Sequence, residues 1–302
     1  MSSPSIIVIG SSNTDMVIKT THLPLPGETI LGGNFYMNAG GKGANQAVAA
    51  AKLGGNVTFF ARVGNDIFGE QAKVLFRKEG IETAYISTDE KFPSGVALIT
   101  VDKKGENCIV VAPGANNALS KEDLQLHEAV LEKASLILMQ LEIPLSTVEY
   151  VSWVATKATI KLILNPAPAC ALSDELLARV TIITPNEKEA EMLTGIKVID
   201  KKSAQEAARV LNKKGIETVI ITLGSKGALL LHENVFSEVN APVVEAIDTT
   251  AAGDVFNGAL AVALSEGKPM LDAVLFSCKA AAISVTKLGA QASAPYRNEV
   301  DN

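Results

Sequence analysis

SLILMQLEIPLSTVEYVSWVATKATIKLILNP, residues 135–166, is the stretch on which the architecture turns. Its two ends, SLILMQL and TIKLILNP, are apolar in unbroken runs, so strands made from them must be covered on both faces. Between them PLSTVEYVSWVATKA reads as a helix beginning at Pro144. Strand, helix and strand in succession give parallel neighbours joined by a right-handed crossover. The alternation extends both ways. Upstream come the strand SIIVIG, the small-residue helix GANQAVAAAKLG, the strand NVTFFARVG and the helix FGEQAKVLFRKEG. Downstream come the strand VTIITPN, helices in NEKEAEMLTG and SAQEAARVLNKKG, the strand ETVIITLG, and two helices, one around Asp254 and one from Met270 to Val285. The expected fold is α/β: a doubly wound, mostly parallel sheet covered by helices on both faces.

Two segments break the pattern. Residues 16–37 offer short β-prone pieces, MVIK and ETIL, interrupted by LPLPGE and GG, and cannot be helical. Residues 94–114, SGVALITVDKKGENCIVVAPG, read as two alternating strands joined by KKGEN, a hairpin. Together they predict a small β-sheet lid built from excursions at about 16–37 and 94–112 of a single domain covering 1–302.

Bulk properties exclude several function classes. With 302 residues, 47% of them hydrophobic and 20% charged, the chain can bury a large core and is neither disordered nor membrane-embedded. A formal charge of −6 disfavours nucleic acid or anionic membrane as a partner, since either needs a sizeable basic surface, and aromatics at 5% argue against stacked-base recognition. Residues 1–10 lack the basic start and cleavage pattern of a secretion signal, and no apolar run reaches membrane-spanning length. Cys108, Cys170 and Cys278 are widely spaced, with neither zinc-type pairing nor an even count, so a cytoplasmic protein is expected. His22, His127 and His232 are isolated and read as structural or surface residues.

In doubly wound folds ligands bind beyond the carboxyl ends of the strands. Asn13 and Asp15 follow the first strand, Gln140 and Glu142 follow SLILMQL, and Asn165 follows KLIL. Asn186 and Glu189 follow TIIT, and Thr222, Gly224 and Gly227 follow TVII. In DTTAAGDVFNGAL, residues 248–260, Asp254 falls where a helix begins. The backbone N–H groups of Ala251, Ala252 and Gly253 then lack helical partners and can hold an anion beside a base. The plainer alternative is dipole complementation by Asp254, worth roughly 0.3 to 1 kcal/mol. NAGGKGANQAVAA is not a phosphate-binding P-loop, because Gly43 stands where Ser or Thr should follow Lys42, and GSSNTD lacks the dinucleotide fingerprint. It reads either as a glycine-rich helix start or as a bare turn with one cation and the Asn45 amide, suited to a polyhydroxylated ligand. TLGSKGALL is a hairpin connection, or a flat surface for adenine or its phosphates with Thr222 as a donor.

With AGGKGAN, PNEKE, TLGSKG and DTTAAGD in that order, the chain resembles the ribokinase-type family of sugar kinases. NTDMV, HLPLPGET, FFARVGNDIFG, PGANN, LEIP and GAQAS extend the resemblance over essentially the whole length. It implies transfer of the ATP γ-phosphoryl group to the 5-hydroxyl of D-ribose, with Asp254 as base and Ala251, Ala252 and Gly253 as anion hole. It implies sugar contacts at Asn13, Asp15, Gly40, Gly41, Lys42, Asn45 and Glu142. Nucleotide contacts are implied at Asn186, Thr222, Gly224, Ser225, Gly227, Gly253 and Cys278, the last standing where the family often has Asn or His. Asn186 with Glu189 resembles a motif tied to Mg2+ and phosphate. Asp248, Thr250, Ser284, Lys287, Gly289 and Ser293 match a monovalent cation site, usually K+, with several contacts through carbonyls. Each motif is shared by kinases of several acceptors, so deoxyribose, fructose or a nucleoside stays open. A non-catalytic sensor would be expected to have a damaged base or turn, and both are intact. Exposed edges in the lid point to a homodimer formed through it.

Overall fold

The stretch at 135–166 folds as a strand Leu136–Met139, a helix Leu145–Lys157 capped by Pro144, and a strand Lys161–Leu164 parallel to the first. The structure is a computed structural model describing residues 5–302; the reading of residues 1–10 as free of a secretion signal falls partly on 1–4, outside that range. In chain order the strands are β1 (Ser5–Ile9), β2 (Asn13–Lys19), β3 (Phe35–Gly40), β4 (Asn56–Gly64), β5 (Ile86–Asp89), β6 (Gly95–Val101) and β7 (Asn107–Ala112). They continue with β8 (Leu136–Met139), β9 (Lys161–Leu164), β10 (Ile182–Ile183), β11 (Thr218–Thr222), β12 (Ala228–His232) and β13 (Val235–Val239). The helices are α1 (Lys42–Lys52), α2 (Ile67–Lys78), α3 (Lys121–Gln125), α4 (Glu128–Leu131), α5 (Leu145–Lys157) and α6 (Asp174–Leu177). After them come α7 (Glu187–Thr194), α8 (Lys201–Lys213), α9 (Ala252–Ser265), α10 (Met270–Ser284) and α11 (Arg297–Asp301).

Among the described residues nine strands form the main sheet, in the order β13-β12-β11-β10-β9-β8-β1-β4-β5. From β11 to β5 every pairing is parallel, while β12 and β13 add an antiparallel hairpin at one edge. The unbroken apolar strands follow from this geometry. Ile6 and Val8 of β1, with Leu136 and Leu138 of β8, join a core beneath α1, α9 and α10. Ile7 and Ile9, with Ile137 and Met139, join a second core beneath α5 and α8. Successive side chains point to opposite faces and both faces are dry.

A second sheet, in the order β3-β2-β6-β7, is made by the two expected excursions. β2 pairs antiparallel with β3 and parallel with β6, and β6 pairs antiparallel with β7. It starts closer to the body than expected: Asn13 already pairs with Gly40 and with Gly95. Three readings of local structure are corrected. ETIL is not a strand, because Pro24 and Pro26 precede a turn in which the Leu25 N–H donates to the Glu28 carboxylate at 2.9 Å. VTIITPN shortens to Ile182–Ile183. β5 and β13 were not expected; their runs, ISTD and VFSEV, mix polar residues into edge strands.

Candidate active site

Strands β1, β8, β9, β10 and β11 end on one edge of the main sheet, and α9 begins there. Ala251 caps α9 in the left-handed region, φ 60°, a conformation costly for any residue bearing a Cβ. The first helical bond runs from the Val255 N–H to the Ala251 carbonyl at 2.9 Å, so the Gly253 N–H precedes it and is left over by the helix. The expectation of three unpartnered N–H groups is corrected at one of them. Ala252 N–H donates to the Thr249 carbonyl at 3.3 Å, closing the turn TTAA on itself.

Asp254 lies in the first turn of α9 and is only 6% exposed. Its Oδ2 accepts from Asn45 Nδ2 at 2.9 Å and its Oδ1 from Gln46 Nε2 at 2.9 Å. Burial pushes its pKa up; the Lys42 ammonium and the two amides pull it back, and burial prevails. Asp15, on β2, is pushed up to about 6 by burial and by the charges of Glu142 and Asp254, against the pull of Lys42. Lys42 opens α1. Burial works to lower its pKa, but Asp254, Glu142, Glu189 and Asp15 outweigh it and the ammonium is stabilised. Glu142 is held by the Ser11 hydroxyl at 2.5 Å and by the Lys42 backbone N–H at 3.0 Å.

The glycines of AGGKG allow close packing. A Cβ on Gly41, φ 88°, would lie 2.7 Å from the Asn13 nitrogen, and one on Gly43 would lie 2.6 Å from the Gly10 Cα. At Gly40 it would lie 2.2 Å from Asp15 Oδ2. The turn therefore presses against residues 10–15 and brings Asp15, Lys42 and Asn45 to one place. Asn13 is fixed from the other side, its Oδ1 accepting from Asn116 Nδ2 at 2.7 Å while Asn116 Oδ1 accepts from the Ser12 N–H at 2.8 Å.

At the start of α9, beside Ala252 and Gly253, opens a cavity of about 800 Å³. Asn186, Thr222, Gly224, Ser225, Gly227, Gly253 and Cys278 all line it, together with Ala252 and Phe256 and the apolar rim Pro242, Val243 and Val244. The structure thus collects the expected nucleotide residues from the β10–α7, β11–β12 and α9–α10 segments. Burial pushes the Cys278 thiol up to about 11, keeping it protonated. Gly227, φ 95°, runs against β13, where a Cβ would sit 1.9 Å from the Val239 carbonyl. Glu189 does not line the cavity. It closes a capping box, accepting from the Asn186 N–H and from Asn186 Nδ2, both at 2.8 Å. Burial raises its pKa, with Asp254 adding to the rise and the Asn186 N–H and Lys42 opposing it.

Of the expected cation residues, Asp248, Thr250 and Gly289 meet: Asp248 accepts from the Thr250 N–H and the Gly289 N–H, each at 2.9 Å. Burial works to raise the Asp248 pKa, but these hydrogen bonds and the Lys19 charge hold it below the usual range. The Ser284 and Ser293 hydroxyls donate to the carbonyls of Ala281 and Ala290, both at 2.8 Å, and the Lys287 ammonium is paired with Glu299 at 2.5 Å. Any cation contact from Lys287 is therefore through its backbone. Sequence reasoning missed Gln46, Asn116 and the rim 242–244 as site residues. The signal for the first two was present: an uncharged amide inside an otherwise apolar or glycine-rich run.

A model of the pfkB family of carbohydrate kinases matches residues 3–297. The chain is 50% identical over 295 residues to a ribokinase of Haemophilus influenzae, covering 98% of this chain and 96% of the relative. Among solved structures it is similar to ribokinase of Thermotoga maritima, with a TM-score of 0.90, 41% identity and 99% and 98% of the two chains covered. It is also similar to Arabidopsis thaliana ribokinase complexed with ribose and ATP, with a TM-score of 0.91, 32% identity and 99% and 98% covered.

Proposed function

The chain belongs to the pfkB family of carbohydrate kinases, and from that premise we propose that it transfers the γ-phosphoryl group of ATP to the 5-hydroxyl of D-ribose. It is a kinase acting on a sugar hydroxyl, and ribose with ATP is the substrate pair favoured by the similarity to ribokinases. One observation carries the mechanism. Asp254 is buried, follows directly on Gly253, which lines the cavity, accepts from Asn45, and feels the charges of Lys42 and Glu142, while its own charge is felt by Asp15.

Phosphoryl transfer asks mainly for alignment and charge stabilisation. In this reading Asn13, Asp15, Lys42, Asn45 and Glu142 hold the sugar with its reacting hydroxyl toward Asp254. Asp254 takes the hydroxyl proton at a carboxylate oxygen, and burial keeps that oxygen more basic than an exposed carboxylate. Gly253 N–H, at the positive end of α9, stabilises charge on the transferring group; losing a donor of this kind typically costs about 2.7 to 4 kcal/mol. Ala252 contributes through the turn it closes. The apolar rim Val243 and Val244 receives the adenine, and Cys278 meets it as a neutral thiol.

Asn186 and Glu189 would meet Mg2+, and as hard oxygen donors with further lone pairs they fit it. Asp248 with carbonyls around Thr250, Ser284, Lys287, Gly289 and Ser293 would hold a monovalent cation, K+; one carboxylate among neutral oxygens suits an ion of low charge density. Mg2+ would supply neutralisation of phosphate charge, and K+ would supply positive charge to the segment around Asp248. The small sheet, residues 13–40 and 95–112, acts as a lid that shuts out water. On the pleat, Met16, Met37, Leu98 and Val110 share the face opposite Asp15. Met37, Leu98 and Val110 are exposed there, which favours a homodimer through the lid. Among the described residues no helix is long and apolar enough to cross a membrane, and with three free thiols we place the enzyme in the cytoplasm.

The deciding assay is ATP consumption against ribose, deoxyribose, fructose and adenosine, in potassium and then in sodium. Ribose in potassium is expected to give the highest kcat/KM; a preference for another acceptor would replace ribose in this reading.

A further inference from the structure

The amide network behind Asp254 carries an inference that rests on the reading of that residue as the base. Gln46 is fully buried, with 0% of its surface exposed, so it has no route to either substrate. Its whole amide is committed. Nε2 donates to Asp254 Oδ1 at 2.9 Å and to Asn165 Oδ1 at 3.0 Å, while Oε1 accepts from Gln140 Nε2 at 2.5 Å. Turning the amide over would set oxygen against two oxygens and nitrogen against nitrogen, so its polarity is fixed from both sides. Asn165 is itself oriented by the Thr184 carbonyl at 3.4 Å. Gln140 follows β8, Asn165 follows β9 and Thr184 follows β10: three adjacent strand ends decide which atom of one side chain faces the carboxylate.

We propose that Gln46 is a positioning residue for the phosphoryl transfer, holding the Asp254 carboxylate in the orientation that receives the hydroxyl proton, with Gln140 and Asn165 fixing the sense of its amide. Asn45, which also binds Asp254, is one of the residues read as sugar contacts, whereas Gln46 touches only protein groups. A packing role alone would require only a side chain of the same length.

Gln46→Met keeps the length and removes the donor. Its kcat is expected to fall roughly tenfold to a hundredfold, the scale of a lost hydrogen bond to a charged group, with KM for ribose and ATP within about threefold of the parent. The Gln46→Met, Asp254→Asn double variant is expected to turn over within about twofold of Asp254→Asn alone, because the first change acts through the second residue. Gln140→Met, which leaves Gln46 in place but fixed from the Asn165 side alone, should lose kcat in the same direction to a smaller degree; it carries the test if Gln46→Met does not fold by thermal melting. Parent-like kcat in a folded Gln46→Met or Gln140→Met, a loss confined to KM, or multiplicative losses in the double variant would overturn the assignment. Failure of the underlying reading looks different: the parent chain would not phosphorylate ribose, or Asp254→Asn would retain full turnover.

Discussion

Asp15 and Asp254 are two carboxyl groups in one site, and their surroundings set them different tasks. Asp15, with a pKa of about 6, is ionised above that pH and able to accept hydroxyl hydrogen bonds. As pH falls through about 6 it takes up a proton and loses acceptor capacity, so kcat/KM for ribose is expected to drop on the acid side. Asp15→Asn should lower kcat/KM and shift that limb, leaving the acid-side loss that protonating Asp254 itself produces; a pH–rate profile with the limb unmoved would take Asp15 out of it. Asp254→Asn is expected to leave ribose affinity nearly intact, as read by calorimetry, and to lower turnover by at least about a hundredfold. What the sequence made legible at this scale is what lies close along the chain. DTTAAGD carries a cap, a turn and an acid within one segment, and TLGSKG carries its own glycines. Gln46 and Asn116 escaped because their partners lie 208 and 103 residues away, and an amide gives no hint of which distant group will face it.

At the scale of elements, the start of α1 shows how a helix is placed. Gly43 leaves no room for even one carbon beside Gly10, so α1 meets the end of β1 backbone to backbone. Gly43→Ala is expected to cost roughly 1–3 kcal/mol, the usual scale of overpacking, and to raise KM for ribose by displacing Lys42 and Asn45; urea unfolding with steady-state kinetics checks both. In the hairpin β11–β12, Gly227→Ala meets the Val239 carbonyl and a positive φ together, so it should destabilise and raise KM for ATP while KM for ribose stays put. Long apolar runs such as SLILMQL announced their strands because both faces are buried, and PLSTVEYVSWVATKA announced its helix. ETIL did not become a strand, since composition cannot reveal that two nearby prolines and the Glu28 side chain hold a turn instead. Ile182–Ile183 is short because Thr184 and Pro185 already belong to the site edge, with the Pro185 carbonyl spent on the Thr222 N–H at 2.9 Å.

Over the whole molecule, the nine-stranded main sheet is the frame, and the proposed lid is the separate four-stranded sheet. Hydrogen exchange on adding ribose is expected to slow across residues 13–40 and 95–112, and unchanged rates there would argue against closure. Sedimentation at micromolar concentration is expected to report a dimer; replacing Leu98 and Val110 together with Lys should yield monomers with measurable phosphotransfer. The doubly wound frame was readable from the alternation of strands and helices. That the small sheet includes Asn13 and Asp15 was not, because its pairing of β2 with β6 joins segments about eighty positions apart. The rung Asn13–Gly40–Gly95 lies at the inner end of that sheet, while the turn at 102–106 lies at its outer end. Swinging such a plate displaces its tip most and its axle least. In the proposed lid, grip and seal are thereby separable: shortening the distal turn is expected to alter how long solvent is kept out and to leave the proposed sugar contacts at the axle as before.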